Sequence, residues 1–554
     1  MFQKYFADLK QEFSGYSPAV FTKDLLAGIT VAAVALPLAL AFGVSSGADA
    51  AAGLITAILA GIVIGLLSGG SYQISGPTGA MAAILVSVVA KDGLQGVFTA
   101  TLLAGVLLVL AGMFKIGRLV TIIPMPVITG FTSGIAIIIA LGQLDNFFGT
   151  TSQGASAIEK LFSYARLGFR PNWQSLAIGL FVVAVMAFWP KRCTFPASLA
   201  AIVLVLILNH FLGWQVAVVG EIPRTLLPAS RLNPLAISLS SLTAVAGPAV
   251  SIAALGMIES LLCGASAGSM KNEPLDPDQE LVAQGVGNIL LPFFGGIPAT
   301  AAIARTSVAI KAGQRTRLTG VIHSFGLLAS MFLLSGIMSR IPMAALAGVL
   351  MVTAWRMNDW ASIQYLFRRK LRSGIIAFLL TLSCTVLFDL SVAILAGVGF
   401  SCLAFVVKSV DTMEVTVSEV DPLRLRTHGI TPTPQHENVR VVYLSGPLFF
   451  GNIKAALAKL AEITGADVLI LSVRGVPSMD ASAVHALQGY CRQMQQKQIR
   501  VCFAGTQNAV REALEHGGVS DAMPDNCFYW SADAALDAIS TMAPLDAEPL
   551  GQSM

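Results

Sequence analysis

The chain has 554 residues, of which 55% are hydrophobic and 12% charged, with a formal net charge of +4. Soluble domains carry about one quarter charged residues, so a single water-soluble globule is excluded, and so small a positive excess gives no argument for nucleic acid. Seven cysteines without a CxxC pair or metal-ligand spacing read as reduced structural thiols, not as a disulfide framework or a metal centre.

A charged amphipathic lead, residues 1–24, precedes the first apolar run. That run is long and many more follow, so it reads as a membrane span and not as a signal peptide. Runs and breakers give about fourteen spans of the roughly 20 residues a bilayer needs. The first seven are 25–46, 50–68, 72–90, 95–113, 118–141, 174–190 and 195–212. The second seven are 241–266, 278–292, 294–310, 318–338, 342–356, 373–390 and 391–408, the last two sharing a hinge at Asp389.

Loop charge orients this set. With the N-terminus in the cytoplasm, the inner loops hold Lys115, Arg118, Lys191, Arg192, Lys271, Lys311, Arg315 and Arg317. A further inner cluster is Arg356, Arg368, Arg369, Lys370 and Arg372. Lys91, Lys160, Arg166, Arg170, Arg224, Arg231 and Arg340 fall outside. An even count returns the C-terminus to the cytoplasm, and the expected location is the inner membrane of a bacterium.

After Lys408 the pattern changes. Strands at 439–443, 467–475 and 499–505 alternate with helices at 452–463, 481–496 and 507–517, which defines a small α/β domain. The expected plan is a cytoplasmic segment 1–24, a transmembrane domain 25–410, a linker 411–437, the α/β domain 438–542 and a flexible tail 543–554.

Two spans are broken by polar and helix-breaking residues. The third contains 73-QISGPTGAMAA-83 and the tenth 295-GGIPATAAIARTSVAIKAG-313. Both run Gly, Pro, Thr, then small apolar residues, and they occupy the same place in two sets of seven. Seven is odd, so the second set enters the membrane inverted, as in many secondary transporters. A half-helix starting at mid-membrane presents unpaired N–H groups and about +0.5 of a charge. Pro77 suits a first turn, Gly76 and Gly79 admit a ligand close to backbone, and Thr78 and Thr300 add hydroxyls. Two such ends facing each other make an anion site without metal or cofactor. The plainer alternative is a pair of ordinary kinks.

Glu259, in 253-AALGMIESLLCGASAG-268, is read as the one carboxylate deep in an apolar run. There it acts either as a proton-binding group or as a structural partner of a buried polar chain. Arg305, five residues past Thr300, either adds positive field to the anion site or snorkels to the membrane surface. Pro37 is expected to interrupt the first span. His323 reads as a satisfied core histidine.

The stretches 75-SGPTGAMA-82, 258-IESLLCGAS-266 and 284-QGVGNILLPFFGGIPATAAIARTSVAIKAG-313, followed by an α/β tail, resemble the SulP/solute-carrier-26 anion transporter family. The resemblance covers nearly the whole chain. It implies a seven-plus-seven inverted repeat with core and gate domains, half-helices in the third and tenth spans, a homodimer and a cytoplasmic STAS domain. The implied substrate pocket takes Gly76, Thr78 and Gly79 from the third span, Ala299, Thr300, Ala301 and Arg305 from the tenth, and Leu38 and Phe42 from the first. Leu38 departs from the polar residue many members place near there.

In sodium-coupled bicarbonate members an Asp that ligates sodium stands where Glu259 does, with a hydroxyl residue at the position of Cys263. This departure argues for proton symport, with Glu259 as the coupling residue and a dicarboxylate such as succinate or fumarate as the favoured small anion. Bicarbonate or sulfate uptake, an uncoupled channel or exchanger, and a membrane-anchored signalling scaffold are the alternatives. In the tail, 478-SMDASAVHAL-487 resembles the STAS loop whose phosphorylatable serine follows the Asp. Here Ala481 holds that place and Ser482 is displaced by one, which favours a scaffold or dimer role.

Overall fold

The computed structural model describes residues 2–118, 123–153, 157–190, 196–388, 390–523 and 527–541. It divides into two compact units, 1–399 and 400–554. Lys191, Arg192, Cys193, the Asp389 hinge and the tail 543–554 lie outside the described residues.

The first unit is helical. Its first part holds α1 (Phe2–Glu12), α2 (Pro18–Ser45), α3 (Ala50–Leu67), the short strand β1 (Ser75–Gly76), α4 (Gly79–Met113) and α5 (Met125–Gly142). Then come α6 (Leu144–Phe148), α7 (Ala157–Leu167), α8 (Trp173–Phe188), α9 (Ala197–Leu212) and α10 (Leu239–Ala244). The second part holds α11 (Ala246–Lys271), α12 (Pro277–Leu290), strand β2 (Thr300–Ala301), α13 (Ile303–Lys311) and α14 (Leu318–Leu333). It continues through α15 (Ser335–Met338), α16 (Met343–Met357), α17 (Trp360–Arg368) and α18 (Arg372–Leu387), and α19 (Leu390–Val410) runs from the end of the first unit into the second.

Each expected span overlaps a described helix, and among the described residues six helices are long and apolar enough to cross a membrane unaided. The boundaries differ where tertiary contacts decide them. The helix of the first span, α2, begins at Pro18 and not at 25, because Ser17 caps it by accepting from Val20 N and proline suits its first turn. Asp24, read as part of a cytoplasmic segment, is therefore inside α2 and fully buried. Pro37 does not interrupt that helix. The third and fourth spans are continuous in α4 except at Gly93, whose φ of +67° breaks the helix there. Short helices α7 and α17 were not expected.

Two packed groups form. In one, α4 lies against α11 and α12, while α2 and α3 lie against α14. In the other, α5 packs on α18 and α16 packs on α8. Small residues allow this closeness: a Cβ on Gly105 would lie 2.8 Å from Gly285 O, and one on Gly285 would lie 2.7 Å from Gly105 O. Equivalent members of the two halves exchange partners, as the inverted repeat requires.

The second unit carries a five-stranded mixed sheet in the order β3 (Glu414–Glu419), β4 (Val439–Ser445), β5 (Val468–Gly475), β6 (Arg500–Ala504), β7 (Phe528–Tyr529). Strand β3 pairs antiparallel with β4 and the rest are parallel. The stretch read as a linker thus contains an edge strand. Alternation puts Val442 and Leu444 in one core and Val439 and Val441 in the other. Helices α20 (Pro422–Thr427), α21 (Ile453–Ala461), α22 (Ala481–Gln496), α23 (Asn508–His516) and α24 (Ala532–Thr541) complete it. Asp480 caps α22, accepting from Ala483 N at 2.8 Å, and Ser482 is exposed in its first turn.

Candidate anion site

The two breaks meet. β1 and β2 pair antiparallel, Ser75 opposite Ala301 and Gly76 opposite Thr300, and Ala302 N donates to Ile74 O at 2.9 Å. Backbone that cannot be helical at these positions is thereby satisfied by its counterpart from the other half of the chain.

Thr78 is the N-cap of α4 and accepts from Met81 N. The second half-helix starts later than expected: α13 begins at Ile303, and its N-cap Ala302 offers no side-chain bond. Thr300 lies in the strand ahead of it. Both threonines nonetheless converge on one atom. Thr78 Oγ1 donates to Glu259 Oε2 at 2.8 Å and Thr300 Oγ1 donates to the same oxygen at 2.7 Å. Glu259 is half-buried on α11, and Thr300 is fully buried.

Arg305 is 1% exposed, so it does not snorkel. Its Nη2 donates to Pro77 O at 3.1 Å, while Nη1 lies against Gly76, where an added Cβ would overlap it. A guanidinium of α13 therefore sits directly beneath the turn that begins α4. Gly79 touches the Phe42 ring, 3.1 Å from where a Cβ would stand. Leu38 is buried in the apolar core. Ala299 and Ala301 flank Thr300 but spend their N–H groups inside the protein, on Asn288 Oδ1 at 2.9 Å and Ser260 Oγ at 3.2 Å. They shape the site and offer no free amide. The unpaired amides expected here belong to the first turns of α4 and α13.

A supporting ladder went unnoticed in the sequence. Glu280, Gln284 and Asn288 stand four residues apart on one face of α12, all buried. Glu280 accepts from Ser68 Oγ at 2.5 Å, Gly69 N at 3.0 Å and Gln284 Nε2 at 2.8 Å. Gln284 Nε2 also donates to Ser75 Oγ at 2.9 Å. Asn288 donates to Ala299 O and accepts from Ala299 N, both at 2.9 Å, like a strand neighbour. One helix face therefore pins both broken segments. Glu259 is not alone among buried carboxylates: Asp24 on α2 and Glu280 in the first turn of α12 are fully buried too, and the four-residue spacing of Glu280 from Gln284 was the available signal. His323 is fully buried, yet neither ring nitrogen has a hydrogen-bond partner among the described residues. Cys263 Sγ, 3.4 Å from Thr306 Oγ1, faces the same interior.

A helical membrane protein with two inverted half-helices around a shared carboxylate, and with an α/β domain appended, has the make-up of an anion transporter of the SulP type. Residues 21–381 match the sulfate permease family and residues 431–534 match the STAS domain. The chain belongs to the sulfate permease family, also called SulP or solute carrier 26: it is a multi-pass anion transporter and not an enzyme. It is 34% identical to the putative sulfate transporter YvdB of Bacillus subtilis over 93% of this chain and 97% of that one. The bicarbonate transporter BicA of Picosynechococcus sp. is 31% identical over 94% of this chain and 95% of its own length. The transmembrane domain of a cyanobacterial BicA superposes with a TM-score of 0.63 at 32% identity, covering 69% of this chain and 99% of that domain. Murine Slc26a9, described as an anion transporter in the inward-facing state, gives a TM-score of 0.82 at 18% identity. It covers 95% of this chain and 92% of its own, and shows the shared fold.

Proposed function

We propose that this chain is a proton-coupled symporter that takes up a small anion by alternating access, with Glu259 as the proton-binding residue. The observation that carries the reading is the convergence of the Thr78 and Thr300 hydroxyls on Glu259 Oε2. While Glu259 is ionised, its charge repels an anion and both hydroxyl protons are committed to it. A bound proton removes the charge and makes the carboxyl a donor, which weakens its hold on the two hydroxyls. These then turn to an anion held against the first turns of α4 and α13, with Arg305 supplying positive field from behind. Proton and anion thus favour each other's binding, which is the coupling symport requires.

The pocket residues in this reading are Gly76, Thr78, Gly79, Thr300 and Arg305, with Leu38, Phe42, Ala299 and Ala301 as its walls. A dicarboxylate such as succinate or fumarate is the first choice of substrate, on the motif wording around Glu259 and Arg305. The names of the relatives favour a second reading, sulfate or bicarbonate. We place both termini in the cytoplasm and the protein in a bacterial inner membrane as a homodimer, with the STAS domain as scaffold.

The test is uptake of labelled succinate, fumarate, bicarbonate, sulfate and chloride into proteoliposomes with and without an imposed proton gradient. Accumulation of one anion only under the proton gradient is expected. Accumulation driven by sodium alone overturns the coupling, and equilibration without accumulation favours a channel.

A further inference from the structure

A cavity of about 360 Å³ opens beside the candidate site, and its floor includes Gly79, the first residue of α4. Its walls come from Ser45 at the end of α2, Ser87 on α4, Gln143 after α5, Ser251 near the start of α11 and Thr385 at the end of α18. These positions have one property in common. With the N-terminus inside, chain tracing puts the end of α2, the end of α5, the start of α11 and the end of α18 all on the outer side. The cavity is therefore the outward entrance to the site.

Its lining is mostly small, apolar and hydroxylated, and Lys160 is the single charged residue in it among the described residues. Lys160 belongs to α7, in the connection between α5 and α8, and forms no ion pair among the described residues. The helix is held in place from the next turn: Tyr164 Oη donates to Asp145 Oδ1 at 2.8 Å, and the Tyr164 ring meets Phe169 edge-on, which in turn meets Phe148. Asp145 is further occupied by Ser152 Oγ at 2.5 Å. Asp145 is thus consumed in fixing the helix, and Glu159, next to the lysine on α7, is exposed and does not line the cavity, whereas Lys160 does.

We propose that Lys160 is an anion-collecting residue at the outer mouth, raising the local concentration of substrate above Gly79 and Thr78. A cation at the rim of a low-dielectric funnel focuses its field inward, and the gain falls with ionic strength. A small dianion feels twice the attraction of a monoanion, so the same residue biases entry toward divalent substrates. This rests on the orientation and uptake direction proposed above, so the experiment separates the two.

Ser87→Cys places a thiol in the cavity wall. Its reaction rates with 2-sulfonatoethyl methanethiosulfonate and with 2-(trimethylammonium)ethyl methanethiosulfonate are measured from outside, with protein lacking Ser87→Cys as control. The ratio of anionic to cationic rate cancels any change in thiol reactivity and reports the local potential. Lys160→Gln is expected to lower the ratio by at least about fivefold, and Lys160→Arg to keep it. In uptake assays Lys160→Gln raises KM by about threefold or more at low salt, leaves the maximal rate unchanged and flattens the salt dependence. An unchanged rate ratio overturns the proposal whatever happens to KM. If wild-type protein accumulates none of the anions, the transport reading fails, and the rate ratio still decides the role of Lys160.

Discussion

Thr300 and Glu259, one on a two-residue strand and the other in mid-helix, meet at 2.7 Å, and Thr78 from the other half of the chain reaches the same carboxylate oxygen at 2.8 Å. A single oxygen thus connects three elements that have to move together if the site is carried across the membrane. Glu259→Gln fixes the neutral form. It is expected to keep anion exchange, to lose accumulation under a proton gradient, and to make uptake independent of pH across the range where wild type responds. Retention of the wild-type pH profile would sink the assignment.

Replacing either threonine by valine keeps its shape and removes its hydroxyl. Hydrogen bonds to charged partners are worth about 1.5–3 kcal/mol, which corresponds to a rise in KM of roughly tenfold to a hundredfold. Thr78→Ser and Thr300→Ser should recover most of it. Equal effects from valine and serine, measured as uptake kinetics, would show that the methyl groups and not the hydroxyls matter.

Gly76→Ala drives a methyl group into the Arg305 guanidinium, whose buried position leaves it little room. A lowered melting temperature and abolished transport are expected. Removing the obstacle in Gly76→Ala/Arg305→Ala should restore part of the stability without restoring transport. The coupling between the two substitutions, from a double-mutant cycle on melting curves, should exceed about 1 kcal/mol.

Helix α1 is tied to the helical unit by two ion pairs of unequal worth. Arg317 Nε to Glu12 Oε2, at 2.8 Å, is almost wholly buried, whereas Lys4 to Asp276, at 2.6 Å, leaves the lysine 63% exposed. Glu12→Gln removes the charge paired with a buried guanidinium that keeps its bonds to Leu66 O and Ser68 O, and should cost about 1–3 kcal/mol of local stability, against less than about 1 kcal/mol for Asp276→Asn. Burial works against the Asp276 charge, but the Lys4 ammonium and the amides of Gln279 and Asp278 outweigh it and hold the carboxyl below its usual value. The Lys4 ammonium, hydrogen-bonded to Asp276, is held above its own. The contribution of this pair is therefore complete at neutral pH. It is lost on the acid side as pH falls below the ordinary carboxylate value of 3.8 and through the depressed one, and on the basic side as pH rises past 10.5. Hydrogen exchange of residues 2–12, corrected for intrinsic rates, should show fast opening in Glu12→Gln and a small acid-dependent increase in wild type.

What could be read from the chain alone was whatever depends on local pattern. The order of spans, the breaks at 73–83 and 295–305, and the alternating strands after 438 all follow from hydropathy and from Gly and Pro placement. The direction of Arg305 was undecidable, because only the approach of β1 shows that Pro77 O lies above it. The start of α13 was misplaced for the same reason: Ala302 is held extended by Ile74, a partner far away in the chain. Glu280 was overlooked because a carboxylate near a span end looks solvated until Ser68 and Gly69 are seen to surround it. The linker hid strand β3: 414-EVTVSE-419 does alternate, but it is a short edge strand next to a Pro-containing stretch, and even its Val417 stays exposed.

The pairing of Ser75 and Gly76 with Ala301 and Thr300 has a consequence for how the protein is made. Synthesis runs from the N-terminus, so β1 leaves the ribosome more than two hundred residues before the strand that satisfies it. During that interval its polar backbone has no partner in hydrocarbon, and stable release of the first half into lipid is disfavoured. The early spans must then wait beside the insertion machinery, or in a hydrated pocket of their own, until residues near 300 arrive. A nascent chain stalled before that point would be the form most exposed to membrane quality control.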